Sequence, residues 1–292
     1  MKSISFFILT FLCISSCCGT KKAIQSQPTT NDDIVVVTET PDIIETPSIP
    51  EPLQPPNDID VKETVIPLPP KPPKQIKTST FSHSRWNKLL QQFVSENGNV
   101  YYQKIREDRF QLDIYIDHLS HNLPTEEWSK NEKLSYWINA YNALTIDLIL
   151  RNYPTKSIKN IKDPWDQRLW QFGDKWINLN DIEHKILRKM NEPRIHFAIV
   201  CASISCPKLQ NEAFTANNLE EQLTNATKEF LADTSKNELS KDNIKLSKIF
   251  KWFKKDFEQD GSLIDFLNQY SDVSISNSAK KNYTDYNWDL ND

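Results

Sequence analysis

Residues 129–150 read SKNEKLSYWINAYNALTIDLIL, and this stretch decides the architecture of what surrounds it. Ser129 followed three residues later by Glu132 is the pattern of a capping box, in which each side chain satisfies the other's backbone N–H. Residues 134–150 then run without glycine or proline, and Pro154 stops the helix. It is the strongest helix in the chain. Asn139 and Asn142 sit inside it, three residues apart and therefore on one face. Asparagine costs several tenths of a kcal/mol in a helix relative to alanine. Each amide therefore needs a task, either clamping a neighbouring loop or strand end by hydrogen bonds or belonging to a site.

Upstream of this helix, Trp86, Leu89, Leu90, Phe93 and Val94 recur at helical spacing. Phe110, Ile114 and Leu119 do so less cleanly, with Pro124 as the stop. Downstream the period changes. LWQFGDKWINL (169–179) alternates around Gly173-Asp174, a hairpin signal. Asn180 and Glu183 repeat the capping-box spacing and predict a short helix through Met190. RIHFAIV (194–200) reads as a buried strand, ended by a polar loop at 201–207. Helices follow at 219–231, 249–257 and 263–270, with strands at 243–247 and 283–290. Helices lead and strands come late and scattered, so the expected class is α+β, a helix-rich N-terminal half packed on a small, mostly antiparallel sheet.

The N-terminal quarter has a different composition. Twelve of the 17 prolines fall between Pro28 and Pro73, and the whole chain has only 4 glycines. The expected division is a signal segment at 1–17, a proline-rich disordered tether at 18–78, and a globular domain at 79–292. Residues 1–20, MKSISFFILTFLCISSCCGT, place one cation at Lys2 before an apolar run at 4–14. That run is about half the roughly 20 residues a membrane-spanning helix needs, so it reads as the core of a signal peptide. Ile14-Ser15-Ser16-Cys17 resembles a bacterial lipobox, which makes Cys17 the expected lipid-bearing residue, with Cys18 a competing register. Acyl chains on Cys17 would anchor the protein durably to a membrane. Residues Cys18 and Gly19 lack an aspartate that would retain such a protein in the inner membrane, so an outer-membrane position facing the periplasm is expected. Roughly sixty tether residues in extended polyproline geometry would span on the order of 100 Å.

A net charge of −4 gives no reason to expect nucleic acid as a partner. No GxGxxG or GxxxxGK string occurs, and nothing in the sequence requires a cofactor.

Three strings carry a resemblance to a known family: YWINAYNALTIDLIL (136–150), IHFAIVCASISCP (195–207) and YTDYNWDLN (283–291). IEHKILR (182–188) fits between the first two. Together they resemble the DUF547 family of bacterial secreted or lipid-anchored proteins, which also occurs at the C-terminal end of some plant proteins. The resemblance extends over most of residues 81–292. It implies a domain type without a settled activity, so chemistry rests on the residues.

Cys201 and Cys206 flank the loop that follows the expected strand, where a scaffold commonly displays functional groups. Several readings stay open. The two cysteines could form a disulfide, favoured in an oxidising compartment. One could be a nucleophile, which needs a histidine to lower its pKa and a third group to orient that histidine. His196 and His184, the latter beside Glu183, are the available histidines, and Asn139 or Asn142 the available orienting amide. A strand period of two from His196 puts Cys201 on the opposite face and favours Cys206 as the attacking thiol. Ser203 and Ser205 are further candidates for binding or attack, without the GxSxG elbow. A zinc site from His184, His196, Cys201 and Cys206 has suitable ligand types but no CxxC or HExxH spacing, and a buried structural thiol completes the list. Arg188 and Arg194 could receive a carboxylate, His118 and His121 read as a polar helix end, and His83 is expected to be exposed at the tether boundary.

The expected function is thus a lipid-anchored envelope protein. Either it transfers or hydrolyses acyl groups of an envelope peptide or cell-wall amide through a cysteine, or it is a non-catalytic binding or scaffold module closed by a Cys201–Cys206 disulfide.

Overall fold

A computed structural model describes residues 81–292. The expected signal segment at 1–17, with its lipobox at Cys17, and the expected tether at 18–78 lie outside the described residues.

The helix at the centre, α4 (Lys130–Asn152), forms with the capping box in place. Ser129 Oγ accepts from the Glu132 N–H at 3.2 Å, and Glu132 Oε2 accepts from the Ser129 N–H at 2.7 Å. Its 23 residues extend about 35 Å at the α-helical rise. Every residue from Leu134 to Leu150 is buried except Trp137, and the polar Ser135, Asn139, Asn142, Thr145 and Asp147 are buried with the apolar ones. Against it pack α2 (Tyr102–Glu107) and α3 (Phe110–His121), and α1 (Ser84–Phe93) packs on both of those. Trp86 of α1 stacks on Tyr115 of α3 with ring centroids 5.5 Å apart, and the Tyr136 hydroxyl donates to the Leu119 carbonyl at 2.6 Å.

His83, expected in solvent, is instead buried beside this cluster, with Nδ1 2.7 Å from the Tyr115 hydroxyl. Burial, helped by the nearby His118, lowers its pKa to about 3, so it is a neutral member of the core. Its sequence position at the edge of the proline-rich stretch concealed this, because Phe81, two residues earlier, is already buried.

The hairpin forms as expected. β1 (Trp170–Phe172) and β2 (Lys175–Ile177) pair antiparallel, Trp170 opposite Ile177, around Gly173 at φ +57°. Behind α4 a second core gathers Phe197, Phe230, Phe250, Phe257 and Phe266. It is built from α5 (Leu219–Ala232), α6 (Ile249–Trp252), α7 (Lys254–Phe257) and α8 (Leu263–Tyr270). A sheet of order β3–β4–β5 joins them: β3 (Glu238–Leu239) runs antiparallel to β4 (Asn243–Leu246), and β5 (Lys280–Tyr283) parallel to it. The class is α+β, with one antiparallel and one mixed sheet.

Four local expectations are corrected. The Asn180–Glu183 segment is no capping box. Asn178 Oδ1 accepts from the Asp181 N–H at 2.7 Å, and the chain continues as a π-helical segment, Asp181–Ile186, and a 3₁₀ turn, Leu187–Met190. The single helix at 249–257 is two, broken at Phe253. The buried strand at 194–200 is also absent. Pro193–Phe197 is a 3₁₀ turn opened by Glu192, whose carboxylate accepts from the Arg194 N–H. Residues 198–200, in place of a strand partner, meet Asn142. At the other end of the chain, β5 stops at Tyr283 and residues 284–290 run on outside the sheet, bridged only at Ser203 and Leu290.

Candidate functional site

The two asparagines of α4 perform the same operation on different partners. Asn142 Nδ2 donates to the Ala198 carbonyl at 2.9 Å and its Oδ1 accepts from the Val200 N–H at 3.0 Å. Asn139 does likewise with the carbonyl and N–H of Phe214, at 2.7 and 3.0 Å. A primary amide presents a donor and an acceptor side by side, as a neighbouring strand would. The apolar run at 195–200 is thus buried and hydrogen-bonded without belonging to a sheet. Asn142 fixes the approach to Cys201, and Asn139 lies away from the pocket with both amide atoms engaged.

That approach leads into an open cavity of about 190 Å³ on the seam between the two cores. His184, His196, Glu183, Cys201 and Cys206 line it together, so the structure brings together the sequence's Cys and His candidates. Asp256, which the sequence reading passed over, organises it. The Arg188 guanidinium makes a two-pronged contact to Asp256, Nε to Oδ2 at 2.6 Å and Nη2 to Oδ1 at 2.7 Å, and His196 Nε2 lies 2.8 Å from Oδ2. Burial alone would raise the Asp256 pKa, but the hydrogen bonds from His196 and Arg188 outweigh it and hold the carboxyl well below its usual range. An ionised carboxylate only accepts, so His196 carries its proton on Nε2. Burial lowers the His196 pKa despite Asp256, leaving the ring neutral. Its Nδ1 is then a lone pair with no hydrogen-bond partner among the described residues. The ring is held flat against Phe253, centroids 3.9 Å apart.

His184 has the opposite tautomer. Arg188 Nη1 can only donate, and it lies 3.0 Å from His184 Nδ1. The His184 proton therefore sits on Nε2, and burial together with Arg188 lowers its pKa. One neutral histidine offers a base and the other a donor. Glu183 is buried, and burial raises its pKa to about 7 even though the Tyr141 hydroxyl donates to Oε2 at 3.1 Å. A carboxyl titrating near neutrality can give or take a proton at little cost.

Cys201 and Cys206 are joined as a disulfide, with Cα atoms 6.2 Å apart. Ala202, between them, adopts φ +56°, a left-handed conformation that residues with a Cβ seldom hold without support. The support comes from the segment after β5. The Ile204 N–H donates to the Asp289 carbonyl at 2.9 Å, the Ser205 N–H to that of Asn287 at 3.2 Å, and the Asn287 N–H to Ser205 Oγ at 2.8 Å. Tyr286 places its hydroxyl 3.2 Å from Cys201 Sγ and 3.3 Å from Cys206 Sγ, where it also accepts from Ser203 Oγ at 3.3 Å. Ser203 and Ser205 thus hold the loop to the closing segment. Since 194–200 is no strand, the period-two argument separating Cys201 from Cys206 falls, and both sulfurs reach the pocket. Tyr286, Trp288 and half-exposed Trp252 pack ring against ring at the rim.

Two of the residues missed by sequence reasoning had faint signals. Asp256 is a lone acid between Phe253 and Phe257, both facing the core, and Tyr286 belongs to the quoted closing string. Among the described residues no group of three or more His, Cys, Asp or Glu is arranged to hold a metal ion, because the zinc candidates His184 and His196 face Arg188 and Asp256 and the cysteine sulfurs face each other. Among the same residues no helix is long and apolar enough to cross a membrane. Arg194, the other candidate for a carboxylate, is buried between Glu192 and Glu220 and ties the 3₁₀ turn to α5.

A comparison with protein families matches residues 125–231 to "Protein of unknown function, DUF547". The match is narrower than the resemblance in sequence suggested. It contains α4, both histidines and both cysteines, whereas Asp256 and Tyr286 lie beyond it. No curated protein and no solved structure matches the chain.

Proposed function

We propose that this domain is a cysteine-dependent acyl transferase or amide hydrolase, with Cys206 as nucleophile and His196 as its base. The observation that carries the reading is His196 itself, whose Nε2–H is committed to Asp256 while its Nδ1 has no hydrogen-bond partner among the described residues, in a residue that lines the same pocket as both cysteines. The orienting group is an aspartate rather than the asparagine expected. In the reduced protein His196 Nδ1 would take the Cys206 proton, and the imidazolium so formed would be stabilised by Asp256. The Cys206 sulfur would attack a carbonyl, His184 Nε2–H would donate to the developing oxyanion, and Glu183 is poised to protonate the leaving group. Asn142 and the paired Ser203 and Ser205 keep the loop in place.

The substrate class follows from location. Lipid attachment through Cys17 and an outer-membrane position facing the periplasm would place the domain among envelope peptides and cell-wall amides, with the membrane as its other partner and no role for nucleic acid. Replacement of Cys17 by serine should abolish incorporation of labelled fatty acid; undiminished incorporation would move the anchor elsewhere.

The activity is tested by incubating the reduced full chain with activated peptide esters and following intact mass. A thioester on Cys206 that C206S and H196A both lose is the expected result. A second reading, a binding or scaffold module, is favoured by the disulfide itself, which leaves no free thiol among the described residues. Absence of any thioester in the reduced protein, with its fold unchanged, would select that reading.

A further inference from the structure

We propose that the Cys201–Cys206 bond is an exchangeable disulfide, opened by a low-molecular-weight thiol that attacks Cys201 and expels Cys206 into the pocket. This activity goes beyond acyl transfer and is scored without any acyl substrate. The two sulfurs are not equivalent. Cys201 is partly exposed, whereas Cys206 is buried, 4% exposed. A backbone donor is aimed at the buried one: the Cys201 N–H lies 2.9 Å from Cys206 Sγ. The Tyr286 hydroxyl reaches both sulfurs, 3.2 Å from Cys201 Sγ and 3.3 Å from Cys206 Sγ, so its single proton can follow the charge onto Cys206 as that sulfur leaves. Ser203 Oγ donates in turn to the Tyr286 oxygen at 3.3 Å. Burial holds the Tyr286 pKa above its ordinary value, so that proton stays in place.

A disulfide sulfur is a weak acceptor and has little use for two donors. A thiolate is a strong one, and donors fixed in advance stabilise it as it forms. In the first step an incoming thiolate forms a bond to Cys201 Sγ, the Cys201–Cys206 bond breaks, and its electron pair leaves on Cys206 Sγ. In the second step another thiolate attacks the sulfur of the adduct, departs as the mixed partner's disulfide, and frees Cys201. Two thiols are oxidised to one disulfide, and the protein gains two electrons and two protons as its own pair of thiols. Exchange runs faster when the leaving sulfur is the better stabilised one, which sets the direction of attack.

Reduced glutathione serves as the probe, with the folded full chain and peptide mapping by mass. The expected adduct is on Cys201, and Y286F should slow its formation roughly three- to tenfold, one hydrogen bond to a charged sulfur scaled by the exchange sensitivity. Independently, the Cys206 thiol of C201S should be alkylated by iodoacetamide with a midpoint below the ordinary value of about 8.5, and Y286F in that background should move the midpoint up. An adduct on Cys206, a disulfide opened only after denaturation, an ordinary alkylation midpoint or an unchanged rate in Y286F would each overturn the proposal. None of these outcomes bears on whether a thioester forms, so the two proposals fail separately.

Discussion

Two buried carboxylates in this domain gather cationic and ring partners, three at Asp147 and two at Asp256, and they serve different ends. Asp147 on α4 receives Arg109, Arg151 at 2.6 Å and the Trp170 indole N–H at 2.7 Å. Asp256 on α7 receives Arg188 and His196. The Asp147 carboxylate is sealed, 1% exposed, and every partner is a permanent donor. Asp256 stands behind the cavity wall, and one of its partners, the titratable His196 ring, lines the cavity with a nitrogen to spare. The same electrostatic device therefore fastens α3 and the hairpin to α4 in one place and sets a tautomer in the other. What separates structure from chemistry here is the type of one partner and the empty space beside that partner.

Breaking the sealed site should cost most. D147A leaves the Trp170 N–H and two arginines without their acceptor, and a loss of about 3–5 kcal/mol in urea unfolding is expected, with thiol reactivity of the refolded protein unchanged. A loss under about 1 kcal/mol would show that the arginines find water instead.

Glu183 gives the next largest effect and has a defined sign. Its carboxyl is raised to about 7 in the fold from an unfolded value near 4.5. The folded state thus binds more protons between those values, and this group's contribution to stability falls as pH rises from about 4.5 to 7 and is level above. The span corresponds to roughly 2–4 kcal/mol. The buried histidines, His83, His184 and His196, slope the other way, since their lowered values favour the fold as pH rises. The difference between wild type and E183Q isolates the glutamate, and a difference flat across pH 5–7 would contradict its assignment.

N142A should follow, at about 2–3 kcal/mol for an unpaired Ala198 carbonyl and Val200 N–H. N139A should cost as much through Phe214, yet only N142A should alter the alkylation rate of the reduced cysteines, because only Asn142 holds the approach to Cys201. The smallest stability change belongs to D256N, about 1–2 kcal/mol, since Arg188 is 29% exposed and can turn to water. Its effect on chemistry should be the greatest of the set: thioester formation should fall at least tenfold, with the NMR-detected His196 tautomer no longer fixed. A tautomer unchanged in D256N would dissolve the contrast drawn above.

The parts of this architecture that local rules specify were legible. Ser129 and Glu132 cap α4, Pro154 lies just beyond its end, and Gly173 turns the hairpin. The misreading of 194–200 has a physical cause. A segment buried on all sides looks like a strand whether its backbone bonds go to a neighbouring strand or to a side-chain amide, and Asn142 lies 56 residues before Ala198, its acceptor. The site was half legible for a similar reason. Cysteines and histidines stand out by type, but Asp256 and Tyr286 acquire their roles only by being folded onto His196 and Cys206, 60 and 80 residues away in sequence.

That distance has a consequence for the order in which the domain is made. Until residues 284–291 have been synthesised and have docked, the loop at 201–206 has neither Tyr286 nor the backbone partners at 287 and 289. A nascent chain emerging N-terminal end first would hold its cysteines in an open, unorganised hairpin of sequence. The loop that carries both cysteines is thus organised only once residues 284–291 have docked on it.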